Sequence, residues 1–217
     1  MITALKILAS AVIGYLLGSV STGVFIARWF GNVDIRKVGS GNVGMTNLMR
    51  TMGWLPGALT FIGDALKGVL AAWIGSLIAG EAGLHFGGVC AVIGHNWSVY
   101  FHFKGGKGMS TSFGYLLMAN WGVAVALLVI QIIVVLITGY MSLASIITAC
   151  LLFIISLFTG PWPFMLSSLI LCAMALYGHR ENIKRLAHHR ENKLDAGKIN
   201  NVSKKILDKL KNGRKEK

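Results

Sequence analysis

The chain has 217 residues, of which 54% are hydrophobic and only 13% are charged, and its mean hydropathy is +0.64. A soluble domain of this length would carry about a quarter charged residues, so the composition excludes an ordinary soluble enzyme. Residues 109–178 contain no Asp, Glu, Lys or Arg, and a spanning helix needs only about 20 mostly apolar residues. The sequence therefore predicts an all-α, polytopic transmembrane helix bundle.

Basic residues are concentrated at the C-terminal end of the chain. Residues 179–217 contain 13 of the 21 Lys and Arg residues, together with five acids. A basic segment beside a membrane span is typical of the cytoplasmic side, where the leaflet is anionic. A net charge of +13 would also suit a nucleic-acid-binding protein. Because the charge lies mainly in this tail, we expect no nucleic-acid partner.

Apolar runs separated by polar breaks predict the spans. The first three runs cover about residues 5–28, 54–79 and 84–101, and breaks near residues 121, 139 and 161 divide the uncharged block into four further segments. An even number of crossings must separate the basic segment at 103–108 from the basic tail if both are cytoplasmic. We therefore predict seven spans, with the N-terminus outside and the C-terminus cytoplasmic.

The segment at residues 110–119 is too short to cross a membrane alone at about 1.5 Å per residue. It is either extended by the preceding loop or a re-entrant half-helix, and five spans is the alternative total. We predict one transmembrane domain over residues 1–186 and a basic cytoplasmic tail over residues 187–217. The tail is either disordered or an amphipathic helix on anionic lipid. Its apolar positions recur every three or four residues: Ile199, Val202, Ile206 and Leu210.

Two opposite charges, Asp64 and Lys67, lie three residues apart inside the second predicted span and share a helical face. Charges at such depth are unfavourable and are usually paired, buried in the bundle or functional. A structural pair is the favoured interpretation.

The loop between the first two spans is rich in hydrogen-bond donors. Residues 34–50 read DIRKVGSGNVGMTNLMR. Glycines on both sides of Ser40 allow close approach of the backbone to a ligand, and the arginines are forked donors suited to phosphate or carboxylate. We predict anion binding here. The candidate substrate-binding residues are Arg36, Gly41, Asn42, Thr46 and Asn47.

A second polar segment, FKGGKG at residues 103–108, precedes the uncharged block. Consecutive glycines can offer backbone N–H groups to an anion, lysines add charge, and a helix is predicted to begin just after them. The spacing does not match a Walker A loop. The candidate substrate-binding residues are His95, Lys104, Gly105, Gly106, Lys107 and Gly108.

A third polar segment, HREN at residues 179–182, directly follows the last predicted span. The same tetrapeptide recurs at residues 189–192, so position must distinguish the copies. The first copy adjoins the membrane and can reach a site beneath the bundle, whereas we interpret the second as part of the tail.

Taken in order, these segments resemble the bacterial acyl-phosphate-dependent glycerol-3-phosphate 1-O-acyltransferases. The resemblance covers about residues 14–186. Its elements in this sequence are Gly18-Ser19, residues 34–50, Asp64-Ala65-Leu66-Lys67-Gly68, Gly94-His95, residues 103–108, Tyr140-Met141-Ser142-Leu143 and residues 179–186. The chain departs from the family after Leu186, where a glycine turn is replaced by Ala187-His188-His189.

The resemblance implies transfer of a fatty acyl group from acyl phosphate to the 1-hydroxyl of sn-glycerol 3-phosphate. The products would be lysophosphatidic acid and phosphate, in the first step of phospholipid synthesis. It also implies that Ser142 lines the substrate site and that Glu181 is structural. The catalytic residues it implies are Ser40, Arg50, His179 and Asn182.

The same resemblance implies a multi-pass protein of the bacterial cytoplasmic (inner) membrane whose active site faces the cytoplasm. The expected partners are the two substrates and membrane lipid, with the enzyme that makes acyl phosphate as a candidate partner. We expect no cofactor and no metal.

Two alternatives accompany this prediction. The resemblance implies that an oxygen of the acyl phosphate takes the hydroxyl proton, and the alternative is a covalent acyl intermediate on Ser40. The main functional alternative is a membrane transporter of organic phosphates. A transporter would need charged or broken helices near the bilayer midplane, and only Asp64 and Lys67 offer such a feature.

Overall fold

The computed structural model describes residues 1–212, apart from the side chains of residues 207 and 209–212. Every regular element in this part of the chain is helical, which confirms the all-α prediction. The α-helices in chain order are α1 (Ile2–Ser19), α2 (Thr22–Gly31), α3 (Met45–Met52), α4 (Trp54–Asn96), α5 (Met109–Ala119), α6 (Trp121–Thr138), α7 (Met141–Thr159), α8 (Trp162–Gly178), α9 (Arg180–Ala187) and α10 (Ala196–Asn212).

Several helical stretches within residues 1–212 are long and apolar enough to cross a membrane. Four meet this test by length and composition: Ile2–Gly31, Trp54–Phe101, Trp121–Thr138 and Met141–Thr159. A fifth results if α8 and α9, which are bent by 59°, count as one span. Helix α5 has 11 residues and does not meet the test. This agrees with the prediction that residues 110–119 are too short to cross a membrane alone. The predicted total of seven crossings stays a prediction.

The long helix α4 is a hairpin of two antiparallel segments. Its backbone is non-helical at Gly80, with φ 61° and ψ −143°. A Cβ atom added to Gly75 would lie 2.0 Å from the carbonyl oxygen of Gly83, and one added to Gly83 would lie 1.9 Å from that of Gly75. Small residues permit such close backbone packing. The apolar runs predicted at 54–79 and 84–101 therefore belong to separate helical segments.

The chain divides into two compact units. The first consists of Met1–Val20 and Asp64–Lys193, and its largest apolar cluster is built from α4 to α8 around the fully buried Tyr115. The second consists of Ser21–Gly63 and Leu194–Lys217, where α2 packs against α3 and α10 packs against both. The domain boundary predicted at residue 186 stays a prediction.

Within the described part of the tail, Ala196–Asn212 forms the helix α10. In α10, Ile199 is only 1% exposed, whereas Lys204 and Lys205 are exposed. Val202 and Ile206 are partly buried, and the side chain of Leu210 lies outside the described residues. The apolar side of α10 thus faces protein within the second unit. Its predicted contact with anionic lipid stays a prediction.

Candidate active site

In the second unit, Asn47 organises the loop that precedes α3. Its side chain is buried, and its Oδ1 accepts the N–H of Ser40 at 3.0 Å. Its Nδ2 donates to the carbonyl oxygens of Val38 and Asn42, each at 2.9 Å. Asn47 therefore holds the backbone on both sides of Ser40. Its predicted contact with substrate stays a prediction.

Ser40 lies exposed between two glycines with left-handed backbone conformations. Gly39 has φ 62° and Gly41 has φ 73°. A Cβ atom at Gly39 would lie 2.2 Å from Oδ1 of Asn47, so glycine at this position is required both by conformation and by contact. The Ser40 hydroxyl also accepts the N–H of Asn42 at 3.4 Å.

The arginines of this loop have different surroundings. Arg36 forms a forked pair with Asp34, with Nε to Oδ1 at 2.8 Å and Nη2 to Oδ2 at 2.9 Å. The hydrogen bond from the Arg36 side chain holds the pKa of Asp34 at about 2. Arg50 is partly buried in the last turn of α3, and Thr46 is partly buried in its first turn.

In the first unit, the FKGGKG loop lies directly against His95, which is 5% exposed. The N–H of Gly106 donates to the His95 carbonyl oxygen at 3.0 Å. A Cβ atom on Gly105 would lie 1.9 Å from that oxygen, and one on Gly106 would lie 2.1 Å from His95 Nε2. Both glycines are therefore needed for packing. The Gly106 amide donates within the protein, and the anion binding predicted for this loop stays a prediction.

A buried ionic cluster lies behind this loop. The ammonium of Lys67 lies 2.9 Å from Oδ1 of Asp64 and 2.8 Å from Nδ1 of His95, and it donates to the Val20 carbonyl oxygen at 2.7 Å. Because the ammonium can only donate, Nδ1 of His95 is the acceptor. These contacts agree with the structural interpretation of Asp64 and Lys67.

Asn182 is held by an acid outside the predicted motif. Its Nδ2 donates to Oε1 of Glu191 at 2.8 Å, and the hydroxyl of Ser142 donates to the same oxygen at 3.0 Å. Arg185 donates to Oε2 of Glu191 at 2.8 Å. Lys107 donates to Oδ1 of Asn182. The structure thus joins three predicted site residues, Lys107, Ser142 and Asn182, in one hydrogen-bonded network.

Glu191 is the member of this network that sequence reasoning missed. It belongs to the second HREN copy, which we had interpreted as tail, yet it is 9% exposed. Burial by itself would raise the pKa of Glu191, but hydrogen bonds from Asn182, Arg185 and Ser142 lower it below its ordinary value. Glu191 is therefore ionised at neutral pH. The repetition of HREN was the signal in the sequence.

Glu181, in the first copy, has a different environment. It is exposed and lies 3.4 Å from the ammonium of Lys184 and 4.0 Å from Nε of Arg180. Exposed ion pairs of this kind contribute little to stability. The structural role predicted for Glu181 stays a prediction, and the buried carboxylate contacts in this region belong to Glu191.

His179 follows the last residue of α8 and is 3% exposed. Its Nδ1 lies 2.8 Å from the carbonyl oxygen of Ala175. Because a carbonyl oxygen only accepts, Nδ1 carries the hydrogen, and Nε2 of the neutral ring is an acceptor. Further along, His189 has φ 54°. This left-handed residue lies in the turn where the resemblance implies a glycine.

The predicted site residues are distributed over both units. Those of the second unit are Arg36, Ser40, Gly41, Asn42, Thr46, Asn47 and Arg50. Those of the first unit are His95, Lys104, Gly105, Gly106, Lys107, Gly108, Ser142, His179, Glu181 and Asn182. Within residues 1–212 no three His, Cys, Asp or Glu side chains are grouped so that they could hold a metal ion.

Comparison with known proteins gives consistent matches over most of the chain. Residues 8–189 match the family described as glycerol-3-phosphate acyltransferase. A glycerol-3-phosphate acyltransferase of Syntrophomonas wolfei is 46% identical over 187 residues, which are 86% of this chain and 96% of that protein. The enzyme of the same name from Carboxydothermus hydrogenoformans is 42% identical over 193 residues, which are 88% of this chain and 98% of that protein.

Two solved structures are also similar. Both are crystal structures of PlsY (YgiH), an integral membrane glycerol 3-phosphate acyltransferase. The glycerol 3-phosphate form has a TM-score of 0.84 and 37% sequence identity, and the match covers 89% of this chain and 98% of that chain. The lysophosphatidic acid form has a TM-score of 0.82 and 36% identity, covering 89% of this chain and 97% of the other.

Proposed function

Because this chain belongs to the glycerol-3-phosphate acyltransferase family and is an integral membrane acyltransferase acting on glycerol 3-phosphate, we propose that its acyl donor is a fatty acyl phosphate. The acceptor would be the 1-hydroxyl of glycerol 3-phosphate. The products would then be lysophosphatidic acid and inorganic phosphate. One of the two similar solved structures is a lysophosphatidic acid form.

The observation that carries this proposal is the network around Lys107. Its ammonium donates to the amide oxygen of Asn182, and the Asn182 amide nitrogen donates to the buried carboxylate of Glu191. Glu191 orients the amide and the hydroxyl of Ser142. The network holds the Lys107 ammonium in a fixed position, and a positioned cation suits the binding of a substrate phosphate.

We infer a direct transfer in one step. The 1-hydroxyl oxygen attacks the carbonyl carbon of the acyl phosphate, the carbon–oxygen bond to phosphate breaks, and phosphate leaves with the electron pair. The hydroxyl proton passes to an oxygen of that phosphate. The protein contributes positioning and electrostatic stabilisation through Ser40, Arg50, Lys107, His179 and Asn182.

Two alternatives to this route have a different acceptor, one for the proton and one for the acyl group. Nε2 of His179 can accept a proton as a general base. An acyl intermediate on Ser40 would require a base for the Ser40 hydroxyl. Mixing the enzyme with acyl phosphate alone distinguishes the covalent route from direct transfer, because an acyl-enzyme would release phosphate before glycerol 3-phosphate is added.

We also propose seven crossings in the bacterial cytoplasmic membrane, with the N-terminus outside and the tail, the loop at 34–50 and the loop at 103–108 on the cytoplasmic side. The support is the hairpin form of α4, which would account for two of the crossings, together with the positions of the basic residues. Membrane lipid and the enzyme that makes acyl phosphate are the proposed partners.

The decisive experiment measures acyl transfer by the purified protein in lipid. Radiolabelled glycerol 3-phosphate is offered with palmitoyl phosphate, palmitoyl-CoA or palmitoyl carrier protein. We expect labelled lysophosphatidic acid from palmitoyl phosphate alone. Product from either thioester in the absence of acyl phosphate would contradict the proposed donor.

A further inference from the structure

The C-terminal helix α10 lies beyond the part of the chain that matches the family. The family match ends at residue 189, whereas α10 extends over Ala196–Asn212. We propose that α10 is a positioning element for α3, the helix that carries Asn47 and Arg50. The proposal gives α10 a supporting role in acyl transfer. It rests on the role proposed above for residues 34–50.

The first observation is a pair of hydrogen bonds at the start of α4. The backbone N–H of Trp54 donates to the hydroxyl of Ser203 at 3.0 Å. The indole Nε1–H of Trp54 donates to Oδ1 of Asn200 at 2.8 Å. The Ser203 hydroxyl in turn donates to the Ile199 carbonyl oxygen at 2.9 Å, so its donor and acceptor capacities are both used. These bonds tie α10 to the junction between α3 and α4.

The second observation is close packing at the same junction. Gly53, the residue between α3 and α4, has φ 94°, and an added Cβ atom would lie 2.4 Å from Oγ and 2.8 Å from Cα of Ser203. The backbones of the two segments are therefore in contact. Ile199 is 1% exposed, and a polar group at this position would be buried without a partner. Docking of α10 thus combines apolar burial with directed hydrogen bonds.

The third observation connects α3 to the candidate catalytic loop. The side chain of Asn47 accepts the N–H of Ser40 and donates to carbonyl oxygens on both sides of it. A displacement of α3 would therefore displace the Ser40 loop, and Arg50 lies on the same helix. A rigid support for α3 holds both residues in their reactive positions.

The experiment compares full-length variants in lipid by hydrogen exchange and by steady-state kinetics. Ile199→Asp places a charge in the buried contact, and Ile199→Val, its control, retains the apolar contact. Asn200→Ala removes the hydrogen bond to the Trp54 indole. Asn201→Ala is the control for Asn200→Ala on the exposed face. We expect Ile199→Asp to speed amide exchange in residues 45–54 about tenfold and to lower kcat about tenfold, with unchanged exchange in α7. Ile199→Val and Asn201→Ala are expected to stay within about twofold of wild type.

One further measurement separates positioning from a general loss of folded enzyme. In an Asn47→Ala background, Ile199→Asp should lower kcat by a smaller factor than in the wild type, because one of the two ways in which α3 supports the site, the link from Asn47 to Ser40, is already broken. A smaller folded fraction would lower kcat by the same factor in both backgrounds.

Unchanged exchange over residues 45–54, or faster exchange with unchanged kcat, would overturn the proposal. If Ile199→Asp does not fold, the same measurements on Asn200→Ala and Asn201→Ala test the proposal. Faster exchange over residues 45–54 and a lower kcat are then expected for Asn200→Ala only. A wild-type protein that is inactive with palmitoyl phosphate would contradict the proposed donor instead. The exchange comparison would still decide whether α10 supports α3.

Discussion

At the scale of single residues, identical short sequences have different environments. Glu181 and Glu191 occupy the same position in two copies of HREN, yet the first is exposed and the second accepts hydrogen bonds from three side chains. The difference arises because residues 188–190 turn the chain back after α9. Glu191 can then reach Asn182 and Ser142, whereas Glu181 projects from the exposed side of α9.

We predict that Glu191→Gln destabilises the protein by about 2 kcal/mol at pH 7, because Arg185 loses its charged partner and a buried hydrogen-bonded charge is removed. We also expect lower kcat, since Asn182 and Ser142 lose their orientation. Thermal unfolding and acyl transfer check both expectations. The matched control is Glu181→Gln, which should be within about 0.5 kcal/mol of wild type because its side chain is exposed.

The difference in stability between the wild type and Glu191→Gln depends on pH, because the pKa of Glu191 is lowered in the folded protein. A carboxyl group whose pKa is lower in the folded state contributes stability above its unfolded pKa and loses it as pH falls through the folded pKa. The ordinary value is 4.5. Wild type and Glu191→Gln should therefore differ most above this pH and converge in more acidic solution. A difference that grows with acidification would show that the carboxylate is not stabilised by these bonds.

We predict that His189→Gly is tolerated and stabilises the protein by about 0.5–1 kcal/mol, because His189 adopts the left-handed conformation that glycine adopts without strain. Scanning calorimetry in detergent would measure the change. The neighbouring His188 has φ −98°, so His188→Gly should give no gain and is the control. Loss of stability in His189→Gly would mean that the His189 side chain makes contacts that outweigh the strain.

At the scale of elements, glycines allow segments to approach each other closely enough to build the site. The two halves of α4 meet at Gly75 and Gly83, and the loop at 103–108 meets His95 at Gly105 and Gly106. The FKGGKG pattern predicted a glycine-rich anion site. Its packing on His95 could not be read from the pattern, because the histidine is separated from the loop by about one turn of helix and a short connection.

We predict that Gly106→Ala lowers kcat/KM for glycerol 3-phosphate at least about tenfold, because the new Cβ atom would lie 2.1 Å from the His95 ring and displace the loop. Steady-state kinetics with palmitoyl phosphate measures the effect. Gly122→Ala is the matched control, since the nearest atom to its Cβ would lie at 3.6 Å and alanine favours the helix. Equal kinetics for the two variants would contradict the packing role of Gly106.

At the scale of the whole molecule, the membrane determines which faces are apolar and where charge can lie. Exposed apolar side chains are frequent along α1 and α6, including Leu8, Val12, Ile132 and Leu136. In a soluble protein such surfaces would be aggregation sites, whereas lipid is a suitable environment for them. The buried pair of Asp64 and Lys67 agrees with the same rule, since it is bonded inside the protein.

We predict opposite locations for the two ends of the chain. In a background without the native cysteines, Ile2→Cys should react with an impermeant maleimide on intact cells, whereas Lys205→Cys should react only after permeabilisation. Both positions are exposed. Labelling of both residues from the same side would require an even number of crossings and would contradict the proposed seven.

The sequence alone determined the class of protein and its family. Charge and hydropathy identify a membrane protein because the energy of placing charge in lipid depends on composition rather than on detailed packing. Short motifs such as GSGNVG, FKGGKG and HREN identify the family because close backbone approaches and forked donors demand particular residues at particular spacings. The sequence does not determine whether the tail is helical, since the spacing of its apolar residues fits both a lipid-bound helix and a disordered segment.

Only the tertiary structure decided which residues work together. It placed Glu191 against Asn182 and Ser142, seated the glycine loop on His95, and turned the apolar side of α10 toward α3. These contacts join residues that are distant in sequence, so local spacing carries no information about them. Burial and hydrogen-bond geometry depend on how the helices pack, and for this reason two identical tetrapeptides in one chain acquire different roles.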